Sequence, residues 1–371
     1  MVDSHVRFEI KGFLGIATLN RPAAINALSG EMFKALRCQI KAWISDPQVK
    51  LIVLRGAGEK GFCAGGDVKS LVLTLNARSD LSHALEFFVD EYSLDYLIHT
   101  SKKPILALSH GLTLGGGIGL FAGAACRVVT ETSVLAMPEI AIGYFTDVGS
   151  SYFLNQMPGH LGRFLALGAI RFQASDALYL GLADVYVEQA KVPALLEYLE
   201  QRLGSVEGQS DGGSGWSRAQ LRAEVKNFGS SSGLTWKPSL FETYFETLNV
   251  LCQADSILDI ERRWRKLGEN LPEGFPWSLE AFFSGSPTSA ALIFEQLRRG
   301  KGMSLKECFD MELNLALACC QRSEFREGVR AQLIDKDRHP QWRPQNITDV
   351  DLNEIQRYFS QEHQITVDSE S

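Results

Sequence analysis

Pro104-Ile-Leu-Ala-Leu108-Ser-His110-Gly-Leu-Thr-Leu-Gly115-Gly-Gly-Ile-Gly119 is the stretch that sets the fold class of this 371-residue chain. Its first residues are apolar without interruption, which reads as a strand buried on both faces. The glycines read as a tight turn, and the apolar residues up to about Cys126 as the helix that the turn opens. The same succession occurs earlier. Leu51-Ile-Val-Leu54 is a buried strand, Gly56 to Gly66 is a Gly-rich loop, and a helix follows from Asp67. Strand, glycine turn and helix in alternation make the first half α/β.

Outward from this pair, Val6–Ile10 and Gly15–Leu19 read as short strands split at Gly12. Ser29 stands as the N-cap of a helix over 30–45, with Met32, Phe33, Leu36, Ile40 and Trp43 at helical spacing. Residues 81–99 are expected to be helical, and Arg127–Val129 and Val134–Ala136 to be short strands. The Gly- and Ser-rich stretch 204–216 reads as a flexible linker or surface loop. Beyond it the pattern is helical over 239–254, 256–267, 278–283, 288–298 and 304–322. The expected organisation is a core over 1–200, a linker or loop over 201–235 and a helical region over 236–371.

Bulk properties remove several function classes. The net charge of −7 and a pI near 5.6 give no polyanion-binding surface, so no nucleic-acid partner is expected. No apolar run is long enough to span a bilayer, so no membrane partner is expected. The opening MVDSHVRFEIKG has no apolar stretch and carries Asp3 and Glu9, unlike a signal or transit peptide. Seven cysteines without a Cys-x-x-Cys pair read as reduced thiols. Together these point to the cytoplasm.

Two glycine turns carry candidate chemistry: Gly61-Phe-Cys-Ala-Gly-Gly66-Asp67 and Gly115-Gly116-Gly117. Each places free backbone N–H groups at the end of a strand. Two such turns that converge could hold one developing oxyanion, as acyl transfer from a thioester needs. Two ordinary strand–helix turns would look the same. Neither matches the phosphate-binding patterns G-x-x-x-x-G-K-[ST] or G-x-G-x-x-G. Downstream, Glu139 and Asp147 lie among apolar residues in Ala136-Met-Pro-Glu139-Ile-Ala-Ile-Gly143-Tyr-Phe-Thr-Asp147-Val-Gly149. Such a setting raises a carboxyl pKa and suits an acid or base, though either residue could equally cap a helix. His110 beside its turn and Cys63 within its loop read as structural.

Taken in order, these motifs resemble the crotonase (enoyl-CoA hydratase/isomerase) superfamily. The match runs over Leu19-Asn-Arg-Pro22, Asn26-Ala-Leu28, Phe62–Asp67, Lys103-Pro104, His110-Gly111, Gly115–Gly117, Met137-Pro-Glu139 and Gly143. Within it the chain is most similar to 3-hydroxyisobutyryl-CoA hydrolases, through Glu91-Tyr92, Thr113–Gly119, Phe145–Gly149, Tyr152–Leu154, Phe325–Arg330 and Leu333–Asp337. It departs from their usual pattern at Thr146, where they carry Pro, and at Ser150-Ser151.

The resemblance implies a crotonase-type ββα spiral core with a helical C-terminal region. It implies an oxyanion hole from the N–H groups of Gly66 and Gly116, and substrate contacts at Glu91, Gly116, Glu139 and Asp147. The implied reaction is hydrolysis of a short branched 3-hydroxyacyl-CoA, 3-hydroxyisobutyryl-CoA, of the valine-catabolism type. Catalysis would fall to Glu139, Asp147, Gly66 and Gly116, with Glu139 attacking the carbonyl or activating water. Coenzyme A enters as part of the substrate; no separate cofactor and no metal are expected. Lys60, Lys69, Lys102 and Lys103 are candidates for its phosphates. A homo-oligomer is possible for this superfamily. The alternatives are an enoyl-CoA hydratase/isomerase, or a non-catalytic acyl-CoA- or RNA-binding protein on the same fold. Against a hydratase, the place the resemblance gives to its second carboxylate is Gly119, which has no side chain.

Overall fold

The computed structural model describes residues 5–78, 80–207, 215–229, 238–360 and 362–365. Strand β1 (Val6–Lys11) pairs antiparallel with β2 (Leu14–Leu19). Helix α1 (Gly30–Ser45) follows, its first turn closed by the Ser29 hydroxyl accepting from the Met32 N–H. The chain then winds three times in the same sense. The first turn holds β3 (Leu51–Gly56), β4 (Gly61–Cys63), α2 (Val68–Ala77) and α3 (Ser82–Thr100). The second holds β5 (Ile105–Leu108), β6 (Leu112–Leu114) and α4 (Gly116–Ala122), and the third β7 (Cys126–Val129) and β8 (Val134–Ala136).

Each turn lays one strand in each of two sheets. The larger sheet runs β1-β2-β3-β5-β7-β10, with β10 at Val185–Tyr186, and is parallel from β2 onward. The smaller runs β4-β6-β8-β9, with β9 at Phe172–Gln173. This is the expected ββα spiral.

Strand periodicity of two explains why the larger sheet reads as continuous apolar sequence. On β3, Leu51 and Val53 enter one core with Leu106, Leu108 and Val128, while Ile52 and Leu54 enter the other with Ala107 and Val129. The first of these cores is closed by α8 (Val192–Glu207) and α9 (Arg218–Gly229), which supply Leu195, Leu199, Leu203, Leu221 and Val225. Between the spiral and α8 lie α5 (Ser150–Phe153), α6 (Leu161–Gly168) and α7 (Ala174–Tyr179).

The C-terminal region is helical: α10 (Leu240–Thr243), α11 (Phe245–Cys252), α12 (Ile257–Glu269), α13 (Glu280–Ser284), α14 (Pro287–Gly300), α15 (Leu305–Gln321), α16 (Ser323–Val329) and α17 (Leu352–Tyr358). Phe164 of α6 meets Trp264 at 5.4 Å and Trp277 at 5.5 Å between ring centroids, and Trp264 meets Phe282 at 4.7 Å. These rings fuse the helical region to the spiral, each buried side chain contributing about 1.5–3 kcal/mol.

Several expectations change. Gly61–Cys63 and Leu112–Leu114 are strands where the sequence suggested only Gly-rich loop, because three residues between glycines are too few to show a period. The helix expected to end near Cys126 stops at Ala122, and Cys126 already pairs with Leu106 in the sheet. The helix over 239–254 is broken at Tyr244. Within the expected linker 201–235, residues up to Glu207 and from Arg218 to Gly229 are helical; 208–214 and 230–235 lie outside the described residues. Trp216, placed in that glycine-rich stretch, is buried against the sheet. No helix among the described residues is long and apolar enough to cross a membrane.

Candidate active site

Three neighbouring parallel strands build the site. In the smaller sheet Cys63 of β4 is paired with Thr113 of β6, and Thr113 with Leu135 of β8. Three residues beyond Cys63 is Gly66, three beyond Thr113 is Gly116, and four beyond Leu135 is Glu139. The register therefore delivers two glycine N–H groups and a carboxyl to the same end of adjacent strands.

Among the described residues the Gly66 N–H has no backbone partner, because of how its neighbours bond. Leu28 donates its N–H to the Gly65 carbonyl (2.9 Å) and its carbonyl accepts from Asp67 N–H (2.8 Å), so Gly66 between them turns its N–H the other way. Gly116 opens α4, where a first-turn N–H has no partner inside the helix. A Cβ built on Gly116 would lie 3.1 Å from Gly66 N and would strike Glu91 Oε1. A Cβ on Gly115 would lie 2.9 Å from Glu139 Oε1. Gly115 has φ +49, and Gly65 +95, so the two turns need glycine for backbone conformation as well as for room. The loop is fixed by Asn26, whose amide donates to the carbonyls of Ala57 (3.0 Å), Gly61 (3.0 Å) and Phe62 (3.1 Å).

Glu139 begins a single helical turn, Glu139–Ile142, but caps nothing; its Oε2 has no hydrogen-bond partner among the described residues. Asp147 does not cap α5 with its side chain either, since Gly149 stands at that position. It accepts instead from the Tyr92 hydroxyl at 2.8 Å, with the Tyr144 hydroxyl 3.3 Å from that of Tyr92.

Five buried carboxyls crowd this region: Glu91, Asp95, Glu139, Asp147 and Glu312. Burial pushes Glu139 well above the usual carboxylate range, and the charge of Asp147 adds to it. Burial does the same for Glu91, reinforced by Asp147, Asp95 and Glu139. Burial raises Asp147 to about 7, held back by the hydrogen bonds from Tyr92 and Tyr144. Carboxyls of unequal acidity in one enclosed site are suited to dividing acid and base work.

The turn that carries Asp147 is strained and clamped. Val148, β-branched, sits at φ +57 and Gly149 at φ +85. Glu312 of α15 accepts from Gly149 N–H (2.6 Å) and Ser151 N–H (2.8 Å), while Gln296 of α14 donates to the Thr146 carbonyl and to Ser151 Oγ (2.8 Å). The residues at which the chain departs from its hydrolase likeness, Thr146, Ser150 and Ser151, are thus the ones that meet the C-terminal helices.

The residues expected to act on the acyl group, Gly66, Gly116, Glu91, Glu139 and Asp147, all fall in this one region. His110 bonds the Gly58 carbonyl through Nε2 (2.8 Å), a structural placement. Cys63 is buried with its thiol pushed up to about 12 by burial, which makes it a packing group and no nucleophile. Lys103 donates to the carbonyls of Trp43 (2.6 Å) and Asp46 (2.7 Å), an engagement with the fold itself. The sequence did not single out Asp95, Tyr144, Gln296 or Glu312. Asp95 had one signal, its place one helical turn after Glu91; the others had none. A cavity of about 300 Å³ at the start of α2 is lined by residues that include Ser29, Lys34, Asp67, His83, Phe87 and Asp90.

The family model described as enoyl-CoA hydratase/isomerase matches residues 14–359. The chain belongs to the enoyl-CoA hydratase/isomerase family. Among its relatives in the family, the Gallus gallus protein named 3-hydroxyisobutyryl-CoA hydrolase, mitochondrial, is 39% identical over 93% of this chain and 86% of its own. The Danio rerio protein of the same name is 38% identical over 96% and 90%. A Rhodobacter sphaeroides structure described as an enoyl-CoA hydratase superposes with a TM-score of 0.83 at 31% identity, covering 96% of this chain and 98% of that one. Membership extends through the helical C-terminal region, so the clamp on the Asp147 turn lies within the family match.

Proposed function

We propose that the chain hydrolyses a short branched 3-hydroxyacyl-CoA thioester, 3-hydroxyisobutyryl-CoA, to the hydroxy acid and coenzyme A. The observation that carries this reading is the close approach of Gly66 and Gly116, a Cβ on Gly116 lying 3.1 Å from Gly66 N, with Glu139 Oε1 against the adjoining Gly115. The two N–H groups would hold the thioester oxygen as it becomes an oxyanion. Glu139, its basicity raised by burial, would attack the carbonyl or take a proton from the water that does. Water and thioester then give carboxylate, thiol and one proton. A thiolate leaves readily, so the step needs neither metal nor cofactor. Asp147 would accept a hydrogen bond from the substrate β-hydroxyl, and Glu91 would line the same pocket. The names of the Gallus gallus and Danio rerio relatives support the acyl group.

The test is release of thiol from 3-hydroxyisobutyryl-CoA, followed with a thiol reagent. The second reading is hydration or isomerisation of an enoyl-CoA, favoured by the description of the Rhodobacter sphaeroides structure. It leaves the thioester intact, so loss of enoyl absorbance without thiol would establish it in place of hydrolysis. Binding without turnover in either assay would leave only an acyl-CoA-binding role. The vertebrate relatives are named as mitochondrial, so the cytoplasmic location stands as a proposal that cell fractionation tests. A homo-oligomer is likewise proposed, with light scattering as its test.

A further inference from the structure

Helix α3 presents Glu91, Asp95 and His99, one turn apart, to glycines at and just beyond α4. A Cβ on Gly116 would strike Glu91 Oε1, one on Gly119 would lie 2.6 Å from Asp95 Oδ2, and one on Gly123 would lie 2.6 Å from His99 Cδ2. The side chains of one helix thus occupy the space that glycine leaves on the next. The mechanism above uses the first of these rungs but not the second.

Asp95 is fully enclosed, and neither of its oxygens has a hydrogen-bond partner among the described residues. A Cβ on Gly119 would also lie 2.7 Å from Val148 Cβ, so Asp95 and the strained turn that carries Asp147 face each other across the hollow of Gly119. The titratable groups around it are Glu91 and His99 on its own helix, the latter kept neutral by burial, Cys63 of β4, Asp147 and Glu312 of α15. All of these are neutral or negative. A carboxyl enclosed among acids, with no cation and no donor, stays protonated, and burial followed by the charges of Asp147 and Glu312 drives it in that direction. A buried O–H without a partner needs an acceptor. The acceptor at hand is the Asp147 carboxylate, which Tyr92 reaches through only one of its oxygens, Oδ2.

We propose that Asp95 is a positioning residue for Asp147, offering its carboxyl O–H to the Asp147 carboxylate across the hollow of Gly119. Asp95 thereby lowers the pH at which Asp147 is ready to receive the substrate hydroxyl. The proposal rests on the reading of Asp147 as the ionised partner of the substrate.

The experiment is the pH dependence of kcat/KM for thiol release from 3-hydroxyisobutyryl-CoA, in wild type, Asp95→Leu, Asp95→Asn and Asp147→Asn. Loss of the donor in Asp95→Leu is expected to move the acid limb up by about one pH unit, a ~10-fold loss on the acid side with near-wild-type rate on the alkaline side. Asp95→Asn, whose amide still donates, should recover most of that shift. A purely structural role would lower the melting temperature and leave the limb in place, and that result overturns the proposal. A downward shift in Asp95→Asn also overturns it, because it means that an ionised Asp95 was repelling Asp147. Should Asp95→Leu not fold, infrared difference spectra of wild type and Asp95→Asn at neutral pH decide. A protonated-carboxyl band lost on substitution supports the proposal, and its absence removes it. An acid limb left unmoved in Asp147→Asn, where the titration of Glu139 still contributes, would overturn the reading of Asp147 itself, a failure separate from that of Asp95.

Discussion

The hydroxyl of Tyr92, on α3, donates a 2.8 Å hydrogen bond to Oδ2 of Asp147, on a turn 55 residues later. Both groups are buried, and the bond favours the ionised form of Asp147 against the penalty of its enclosure. Tyr92→Phe keeps the ring and removes this donor. Asp147, at about 7 with the bond, should then protonate at higher pH. A hydrogen bond to a charged group is worth about 1.5–3 kcal/mol, which corresponds to roughly 1–2 pH units. Activity should fall on the acid side and recover as pH rises. An unchanged pH–rate profile in a folded Tyr92→Phe protein would show that Asp147 is not the group seen in that profile.

Glu139→Gln should preserve shape and stop chemistry, since an amide neither attacks nor takes up a proton. We expect kcat to fall by at least ~100-fold while acyl-CoA binding, measured by calorimetry, is retained. Hydrolysis at an undiminished rate would move the nucleophilic role to another carboxyl of the cluster.

Gly116→Ala is expected to disable the oxyanion site. The added methyl would meet Glu91 Oε1 and lie 3.1 Å from Gly66 N, so it fills the space where the thioester oxygen would sit. The N–H remains but the methyl bars the oxyanion from it, and losing the use of one donor costs about 3–4 kcal/mol of transition-state stabilisation, a ~10²–10³-fold fall in kcat. Circular dichroism establishes that the variant is folded. A folded Gly116→Ala enzyme with near-full kcat would place the oxyanion elsewhere.

Asp147→Ala should change substrate preference. Wild type is expected to favour 3-hydroxyisobutyryl-CoA strongly over isobutyryl-CoA, because a site built around a hydroxyl leaves its carboxylate unpaired with the analogue. The variant should lose most of that preference through the hydroxylated substrate alone. Equal kcat/KM values in wild type would remove the specificity role.

Stability should fall as pH rises from about 6.5 to 8. Glu312, raised to about 8 by burial, and Asp147, raised to about 7, hold protons in the fold that the unfolded chain has released. Where the folded state binds more protons, stability declines with pH, by up to about 1.4 kcal/mol per unit for each such group. Below that window the sign is mixed. His99, lowered to about 3 by burial, is neutral in the fold and charged in the unfolded chain, so its contribution grows with pH up to about 6.5. Urea unfolding at several pH values measures the slope; rising stability between 6.5 and 8 would mean that the cluster is ionised in the fold.

Much of this protein was fixed by local sequence. The Ser29 cap, the helix over Gly30–Ser45 and the buried strands Leu51–Gly56 and Ile105–Leu108 follow from side-chain oxygens, periodicity and apolar runs that act within a few residues. The ordered motifs around Gly66, Gly116 and Glu139 were equally legible, since glycine turns and a carboxyl in apolar surroundings mark themselves. Tertiary structure alone decided the rest. Only pairing across the smaller sheet turns Gly61–Cys63 and Leu112–Leu114 into strands and brings three strand ends side by side. Only packing of α3 against α4 seats Asp95 in the hollow of Gly119, and only α14 and α15 bring Gln296 and Glu312 onto the Asp147 turn. Those contacts join residues as much as 163 positions apart. No local pattern encodes such a partner, because the energy of a buried polar contact depends on what the fold places opposite it.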